Sequence, residues 1–445
     1  MNKQVVIIGG GFGGLYAASR LKDAPVDVTL IDRRNHHLFQ PLLYQVATGA
    51  LSPADIATPL RGLLKHQRNA RVMMGEVVDF DTDNRQVILR DGTVRYDTLI
   101  VASGSGKNYF GNDQWSKWAP GLKTVEDATE IRRRILGAFE AAERESDPEA
   151  VRAWLTFVII GGGPTGVEMA GALAEVAYET LRHDFRSINP ADARIILVQS
   201  GDQILPMYHE DLSNRATAML QRLGVEVRTG GRVTDVNAHG VTLSSGDQQD
   251  FIAARTVVWT AGVRASSLGK ALAECTGAAL DRGGRVVVEP DLSVPGHPEI
   301  FVIGDLAHAA HQTGEPLPGV AQVAIQQGRY VGNVIRARLR GANIRPFAYQ
   351  DRGNMAIIGR GAAIAEIGKL RLSGRLAWPA WLAIHLMYQA DVENRILVFI
   401  QWLWNYLTRS RSAMLITDRQ PSATTTQTRL SVKLATDSGT WPRIG

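Results

Sequence analysis

Residues 5–14 read Val5-Val6-Ile7-Ile8-Gly9-Gly10-Gly11-Phe12-Gly13-Gly14, a β-branched run that ends in a cluster of glycines. Four successive apolar residues suit a strand buried on both faces. The glycines have GxGxxG spacing, and the apolar periodicity then turns helical through Leu15, Ala18 and Leu21. A second strand, residues 26–31, ends in Asp32. In that order Gly9 makes the tight turn, Gly11 admits a pyrophosphate close to the backbone, and Gly14 lets the helix pack on the sheet. Asp32 then binds ribose hydroxyls.

The unit recurs. Residues 156–160 form another apolar run, followed by Gly161-Gly162-Gly163-Pro164-Thr165-Gly166, a helix over 167–179 and a strand over 195–198. A single glycine motif also arises from packing alone, but two complete copies predict two bound dinucleotides. Gly161, Gly163 and Gly166 repeat the roles of Gly9, Gly11 and Gly14. The expected fold is α/β, with two Rossmann-like dinucleotide-binding domains and a C-terminal amphipathic membrane-associating region.

With 445 residues, 45% of them apolar and 21% charged, the chain has material for more than one globular domain. Its one cysteine, Cys275, excludes an intramolecular disulfide, a CxxC redox pair and a cysteine metal site within the chain. A buried structural thiol is the expectation there, and the compartment is expected to be reducing. The opening residues run straight into the first glycine motif, so no signal peptide is expected. Residues 329–445 hold 17 Lys+Arg against 6 Asp+Glu, and residues 1–328 hold 32 against 38. So basic a C-terminal quarter points to an anionic partner such as lipid headgroups or nucleic acid, and no nucleic-acid motif accompanies it.

Ile300-Phe301-Val302-Ile303-Gly304-Asp305 resembles the late strand of disulfide-reductase-like flavoproteins, whose terminal aspartate contacts the flavin's ribityl and phosphate region. That resemblance, which also covers residues 257–262, implies that the first glycine motif takes FAD and the second NAD(P)H. Many such proteins carry a redox cysteine where this chain reads Asn35-His36-His37-Leu38-Phe39-Gln40-Pro41-Leu42-Leu43-Tyr44-Gln45. The missing thiol disfavours disulfide, sulfide and peroxidase chemistry. Extended to Gly49, this stretch closely resembles type II NADH dehydrogenases, single-subunit NADH:quinone oxidoreductases that do not pump protons. Residues 321–328 look like that family's quinone-site AQxxxQ motif. The likeness continues through residues 355–359, Lys369, residues 385–388 and residues 411–417.

The resemblance implies hydride transfer from NADH to FAD and then two electrons to a membrane quinone. A helix opening at residues 319–321, after Pro318, would aim its N-terminus, beginning at Ala321, at the flavin. Gln322 and Gln326 project from one helix face, where their amides either bond quinone carbonyl oxygens or bridge backbone; the motif favours the quinone. Glu168, in the first turn of the second unit's helix, is read as positioning the nicotinamide, although the helix dipole alone would stabilise a carboxylate there. Adjacent residues His36 and His37 point to opposite sides of an extended chain, so no metal site is expected. By resemblance the segment from His36 to Thr48 wraps the flavin, with His37, Gln45 and Thr48 as contacts.

One departure bears on the coenzyme. The acidic residue expected after the second unit's second strand is replaced by Gln199, which can bond a 2′-hydroxyl but does not repel a 2′-phosphate. NADH is the expected donor, with measurable NADPH use.

No apolar run is long enough to span a bilayer. Residues 394–408 place Asn394, Gln401, Asn405 and Thr408 on one narrow stripe, with Ile396, Phe399, Ile400, Trp402, Leu403, Trp404 and Leu407 on the remainder. Trp378, Trp381, Trp402 and Trp404, with flanking arginines, suit a headgroup boundary, while a homodimer interface is the other use of such a surface. Residues 389–395 depart from the Gly-Phe-Arg-Asn-Arg type of sequence expected by resemblance. The expected organisation is an FAD-binding domain over 1–122 and 276–340, an NAD(P)H-binding domain over 123–275, a docking or dimerisation region over 341–419 and a mobile tail over 420–445. The expected location is the cytoplasmic face of a bacterial-type inner membrane. A soluble ferredoxin-type reductase or diaphorase is the leading rival; a flavin-binding sensor that contacts nucleic acid is the second.

Overall fold

The structure is a computed structural model that describes residues 2–246 and 248–417; the tail expected to be mobile lies outside the described residues. The first half contains β1 (Lys3–Ile8), α1 (Phe12–Arg20), β2 (Val26–Asp32), α2 (Leu43–Ala47), β3 (Ala70–Met74), β4 (Thr98–Val101) and α3 (Val125–Glu143). There follow β5 (Thr156–Ile160), α4 (Pro164–Glu175), β6 (Arg194–Val198), β7 (Val225–Arg228) and β8 (Thr256–Trp259). Last come β9 (His297–Val302), α5 (Ala321–Arg338), the meander β10 (Asn354–Gly359), β11 (Ala362–Ile367) and β12 (Leu370–Gly374), and helices α6 (Ala377–Tyr388) and α7 (Val392–Thr408).

Two parallel sheets result. The first runs β9-β4-β1-β2-β3, with an antiparallel edge strand at Ser293–Val294; the second runs β7-β6-β5-β8. All five residues of β5 are buried, as its unbroken apolar run requires. Late strand β9 thus returns to the sheet that began at residue 3, and the second sheet is inserted between them. The crossing is stitched where Ser105–Lys107 pairs antiparallel with Val263–Ala265.

Helix α1 is held on two sides by backbone. A Cβ on Gly14 would collide with the Gly9 carbonyl oxygen, and a Cβ on Gly328 of α5 would collide with the Gly13 carbonyl oxygen. Helix α4 is gripped in the same manner, by Gly166 against the Gly161 carbonyl and by Gly171 against the Ile358 carbonyl of β10. Side chains would hold these elements apart, so the glycines set the spacing of the layers.

Helix α7 is turned inside out. Its polar stripe faces the protein: Asn394 Nδ2 donates to the Ala54 carbonyl (3.2 Å) and Asn405 Nδ2 to the Ala50 carbonyl (3.1 Å). Its apolar face is exposed, Ile396, Ile400 and Trp404 by 56, 56 and 58%. The unexpected Asp391 is its N-cap, accepting from the Glu393 N–H at 3.3 Å. The four-tryptophan reading needs correction: Trp381 is fully buried and stacks on His385 with 4.1 Å between ring centroids, and of the four only Trp404 is strongly exposed. No helix among the described residues is long and apolar enough to cross a membrane.

Gly328→Ala is expected to cost about 2–4 kcal/mol, because both colliding atoms belong to rigid helices. Gly137→Ala, in the interior of α3 with no atom within 4 Å of the new methyl, should leave stability equal or raise it by about 0.5–1 kcal/mol. Chemical denaturation of the two variants checks the contrast.

Candidate active site

Both glycine turns close alike. The Gly9 N–H donates to the Ile31 carbonyl and the Gly161 N–H to the Val198 carbonyl, each at 2.8 Å. Gly9 and Gly161 have φ of +100° and +114°, where a side chain is strained. One residue on, the Gly10 N–H donates to Asp32 Oδ2 (2.6 Å) and the Gly162 N–H to Gln199 Oε1 (2.9 Å). Gln199 therefore stands in the second cradle where Asp32 stands in the first. In front of Gly11 and Gly163 the space is open, with no atom within 4 Å of where a Cβ would stand. Helices α1 and α4 begin at these residues without a side-chain cap, so their first N–H groups are available to an anion.

The first cradle has further features that fit FAD. The Ser103 hydroxyl is buried without a partner. Asp305 accepts a hydrogen bond from Ser105 and lies beside Gly319, just ahead of α5, whose N-cap Val320 also offers no side-chain bond. An open glycine turn, an orphaned hydroxyl, a carboxylate and the uncapped helix end at Ala321 are the kinds of donor and acceptor that could hold a dinucleotide. His37 is buried behind the turn; its Nδ1–H donates to the Gly10 carbonyl at 2.9 Å and its ring meets Phe12 edge-on. Burial pulls its pKa down, so it braces the turn as a neutral ring.

Between α2, α4, β10, α6 and α7 lies a cavity of about 120 Å³. Glu168 of the second unit and Gln45 of the first both line it, with Trp378, Trp381 and Trp402 as walls. Gln45 donates to the Tyr44 hydroxyl (2.9 Å) and accepts from the Trp402 indole N–H (2.7 Å). Burial pushes the Glu168 carboxyl well above the usual carboxylate range, partly offset by the Ile357 N–H. The Tyr44 phenol is raised by burial and then by Glu168. A carboxyl that burial pushes toward its protonated form thus shares the cavity with a hydrogen-bonded phenol and amide.

Other expected residues are not brought to this cavity. The Thr48 hydroxyl turns back onto the Tyr44 carbonyl at 3.0 Å. Gln322 donates to the Gly353 carbonyl (3.0 Å) and accepts from the Arg352 N–H (3.1 Å); Gln326 donates to the Gln350 carbonyl (2.8 Å) and accepts from its N–H (3.0 Å). The two amides bridge the backbone of residues 350–353, the other of their two readings. Sequence reasoning missed Gln327, 1% exposed, whose Oε1 accepts from the Gly304 N–H at 2.6 Å and fixes the approach to Asp305. Its signal was an amide in phase with the buried Val323, Ala324 and Val331. Among the described residues no group of three or more His, Cys, Asp or Glu is arranged to hold a metal.

Residues 3–328 match the family model for pyridine nucleotide-disulphide oxidoreductases. Over 444 residues the chain is 48% identical to the type II NADH:quinone oxidoreductase Ndh of Mycobacterium tuberculosis, covering 98% of this chain and 95% of that protein. The chain belongs to the type II NADH:quinone oxidoreductase family. A second relative from the same organism, NdhA, is 47% identical over 94% of this chain and 90% of its own length. The fold matches the structure of NDH2 from Plasmodium falciparum in complex with NADH, with a TM-score of 0.86 at 21% identity, over 93% of this chain and all of that one.

As a member of a family whose wider name refers to disulphides, this chain has a single thiol, and Cys275 is exposed, contrary to expectation. Its Sγ donates to the Phe80 carbonyl at 3.1 Å, and partial burial followed by Asp79 pushes its pKa up. It is not an activated thiolate.

Glu168 gives a signed pH dependence. A carboxyl raised above its ordinary 4.5 favours the folded state fully only below that value, and the contribution is lost as pH rises toward the folded pKa. Glu168→Gln should therefore match wild type near pH 4.5 and gain on it by at most about 1.4 kcal/mol per pH unit above that. Denaturation of both proteins from roughly pH 5 to 8 tests this; a variant that falls behind as pH rises would show that the carboxyl is charged in the fold.

Proposed function

We propose that this protein oxidises NADH and passes the electrons through bound FAD to a quinone at a membrane surface, without pumping protons. The meeting of Glu168, from the nicotinamide-side helix α4, with Gln45, from the flavin-side helix α2, at one aromatic-walled cavity carries this reading. Bound FAD supplies the relay between a two-electron donor and a quinone. The chain's own residues bind, align and shield.

In this reading Gly9, Gly11, Gly14, Asp32 and Asp305 hold FAD, and His37 stiffens the turn beneath it. The uncapped N-terminus at Ala321 faces the flavin's pyrimidine edge and favours negative charge there. Gly161, Gly163 and Gly166 hold the coenzyme's pyrophosphate. Glu168, whose carboxyl is pushed toward the protonated form by burial, positions the nicotinamide beside Tyr44. Gln45, held by Trp402, offers its amide to the quinone, whose ring lies against the tryptophan walls. Gln322 and Gln326 act by holding residues 350–353 in place; Thr48 contributes its backbone.

Gln199 takes the adenosine ribose. Being uncharged, it leaves NADPH as a slower donor beside NADH. The outward apolar face of α7 suits insertion at the headgroup boundary, with the exposed Arg409 at its C-terminal end meeting lipid phosphate. The same face is where a homodimer would form. We place the protein on the cytoplasmic face of a bacterial-type inner membrane, where NADH is made available.

The test is anaerobic. NADH should bleach the visible absorbance of the flavin-loaded protein, and a short-chain quinone should restore it; absorbance that stays bleached with every quinone tried rejects the proposal. Gln199→Glu should raise the ratio of NADH to NADPH kcat/KM by about tenfold, the effect of one added charge near a phosphate. An unchanged ratio would remove the assignment of Gln199 to the ribose.

A further inference from the structure

The C-terminal region does more than present an apolar face. Asn394, Trp402, Asn405, Arg411 and Ala413 each donate a hydrogen bond to the segment from Gln45 to Ala54. Four of the acceptors are the backbone carbonyls of Thr48, Gly49, Ala50 and Ala54, and the fifth is the Gln45 side chain. Gly49, at φ +71°, has room only for hydrogen, because a Cβ there would stand 2.5 Å from Met414 Sδ. The chain beyond α7 therefore lies as a strap over the segment that carries Gln45.

Arg411 is the part of the strap that reaches both dinucleotide units. Its Nη1 donates to the Thr48 carbonyl at 3.0 Å, and its Nη2 pairs with Glu175 Oε2 on α4 at 2.8 Å. The guanidinium is buried, with 7% of the side chain exposed, whereas most ion pairs of this protein involve more exposed side chains. Glu175 in turn accepts from the Arg360 N–H with its other oxygen, at 2.6 Å. A planar fork can satisfy acceptors on two sides at once, which a lysine ammonium on a flexible stem does less well. Both Glu175 and Arg411 border the cavity that Gln45 and Glu168 share.

We propose that Arg411 is a positioning residue for quinone reduction. By gripping the Thr48 carbonyl and the Glu175 carboxylate together, it holds the end of α2 against α4 and so sets the distance across the cavity between Gln45 and Glu168. This deepens the proposed function and rests on it. Among the described residues the hydrogen bonds of the Arg411 side chain go to Thr48 and Glu175 and not to either glycine turn, so its removal acts on the quinone step more than on the NADH step. Without the cation, Glu175 keeps one backbone donor but loses its charge partner, and the Thr48 carbonyl is left unpaired in a buried place.

The experiment compares wild type, Arg411→Ala, Arg411→Lys and Glu175→Gln as flavin-loaded full chains. Three readouts are needed: flavin reduction by NADH without quinone, steady-state KM and kcat for a short-chain quinone, and backbone hydrogen exchange over residues 45–51 and at Ala413. For Arg411→Ala, quinone kcat/KM should fall about 10- to 100-fold, mainly through KM, as expected for loss of charge-assisted hydrogen bonds. Flavin reduction by NADH should stay within about twofold, and exchange at Ala413 and over residues 45–51 should accelerate. Arg411→Lys and Glu175→Gln, each keeping part of the clamp, should lie between. Equal falls in both half-reactions, or an unchanged quinone KM with wild-type exchange, would overturn the proposal. Should Arg411→Ala fail to fold, the two milder variants carry the same split. If wild type itself reduces no quinone, the functional reading fails; if wild type does and the variants match it, only the role of Arg411 fails.

Discussion

Contact of backbone with backbone at missing side chains is the constraint on which the architecture depends. Helix α1 lies between the Gly9 carbonyl on its sheet side and Gly328 of α5 on the other, with no Cβ in either contact. That closeness brings the N-termini of α1 and α5 to the carboxyl ends of the same parallel strands. Both ends lack a side-chain cap, so two partial positive charges are held ready for a ligand rich in phosphate and electron density. The same device, repeated at Gly166 and Gly171, seats α4 between its own sheet and the meander. Glu168 sits on that helix, so its position is set by glycines on either side of it.

Burial then decides the chemistry of the groups so placed. Glu168 and Tyr44 are removed from water at the boundary of the two units, and both have raised pKa values for that reason first. Glu168 lies beyond the first turn of α4, not in it as the sequence suggested, so burial rather than the helix terminus sets the direction of its shift. His385, also buried, is pulled down to about 4 and is neutral, its Nδ1–H spent on the Trp381 carbonyl. Around the same cavity Arg411 pairs with Glu175, whose other oxygen accepts from the Arg360 backbone N–H.

Helix α7 inverts the usual pattern of a surface helix, and the inversion has a use. Its asparagines and Trp402 supply hydrogen bonds to carbonyls and to Gln45, which an apolar inner face would have left buried and unpaired. Its outer face, free of that duty, is left apolar. One helix thus supports the segment from Gln45 to Ala54 with one face and leaves the other apolar and exposed.

The sequence by itself determined the two glycine cradles and the inserted order of the sheets, because these rest on local spacing: a turn needing positive φ and a helix needing close approach leave glycine at fixed offsets. It also displayed the apolar stripe of α7, but not which way the stripe faces. Periodicity gives a face, and only the neighbouring carbonyls of residues 48–54 decide whether the polar or the apolar face turns inward. For the same reason Gln322 and Gln326, correctly placed on one face of α5, were legible as a pair but not as partners of residues 350–353, which approach from about thirty residues away. The meeting of Glu168 with Gln45, the burial that raises the Glu168 pKa, and the reach of Arg411 to Thr48 and Glu175 across 363 and 236 residues belong to the tertiary structure alone. Such contacts and pKa shifts depend on what surrounds a side chain in space, and no spacing along the chain encodes that directly.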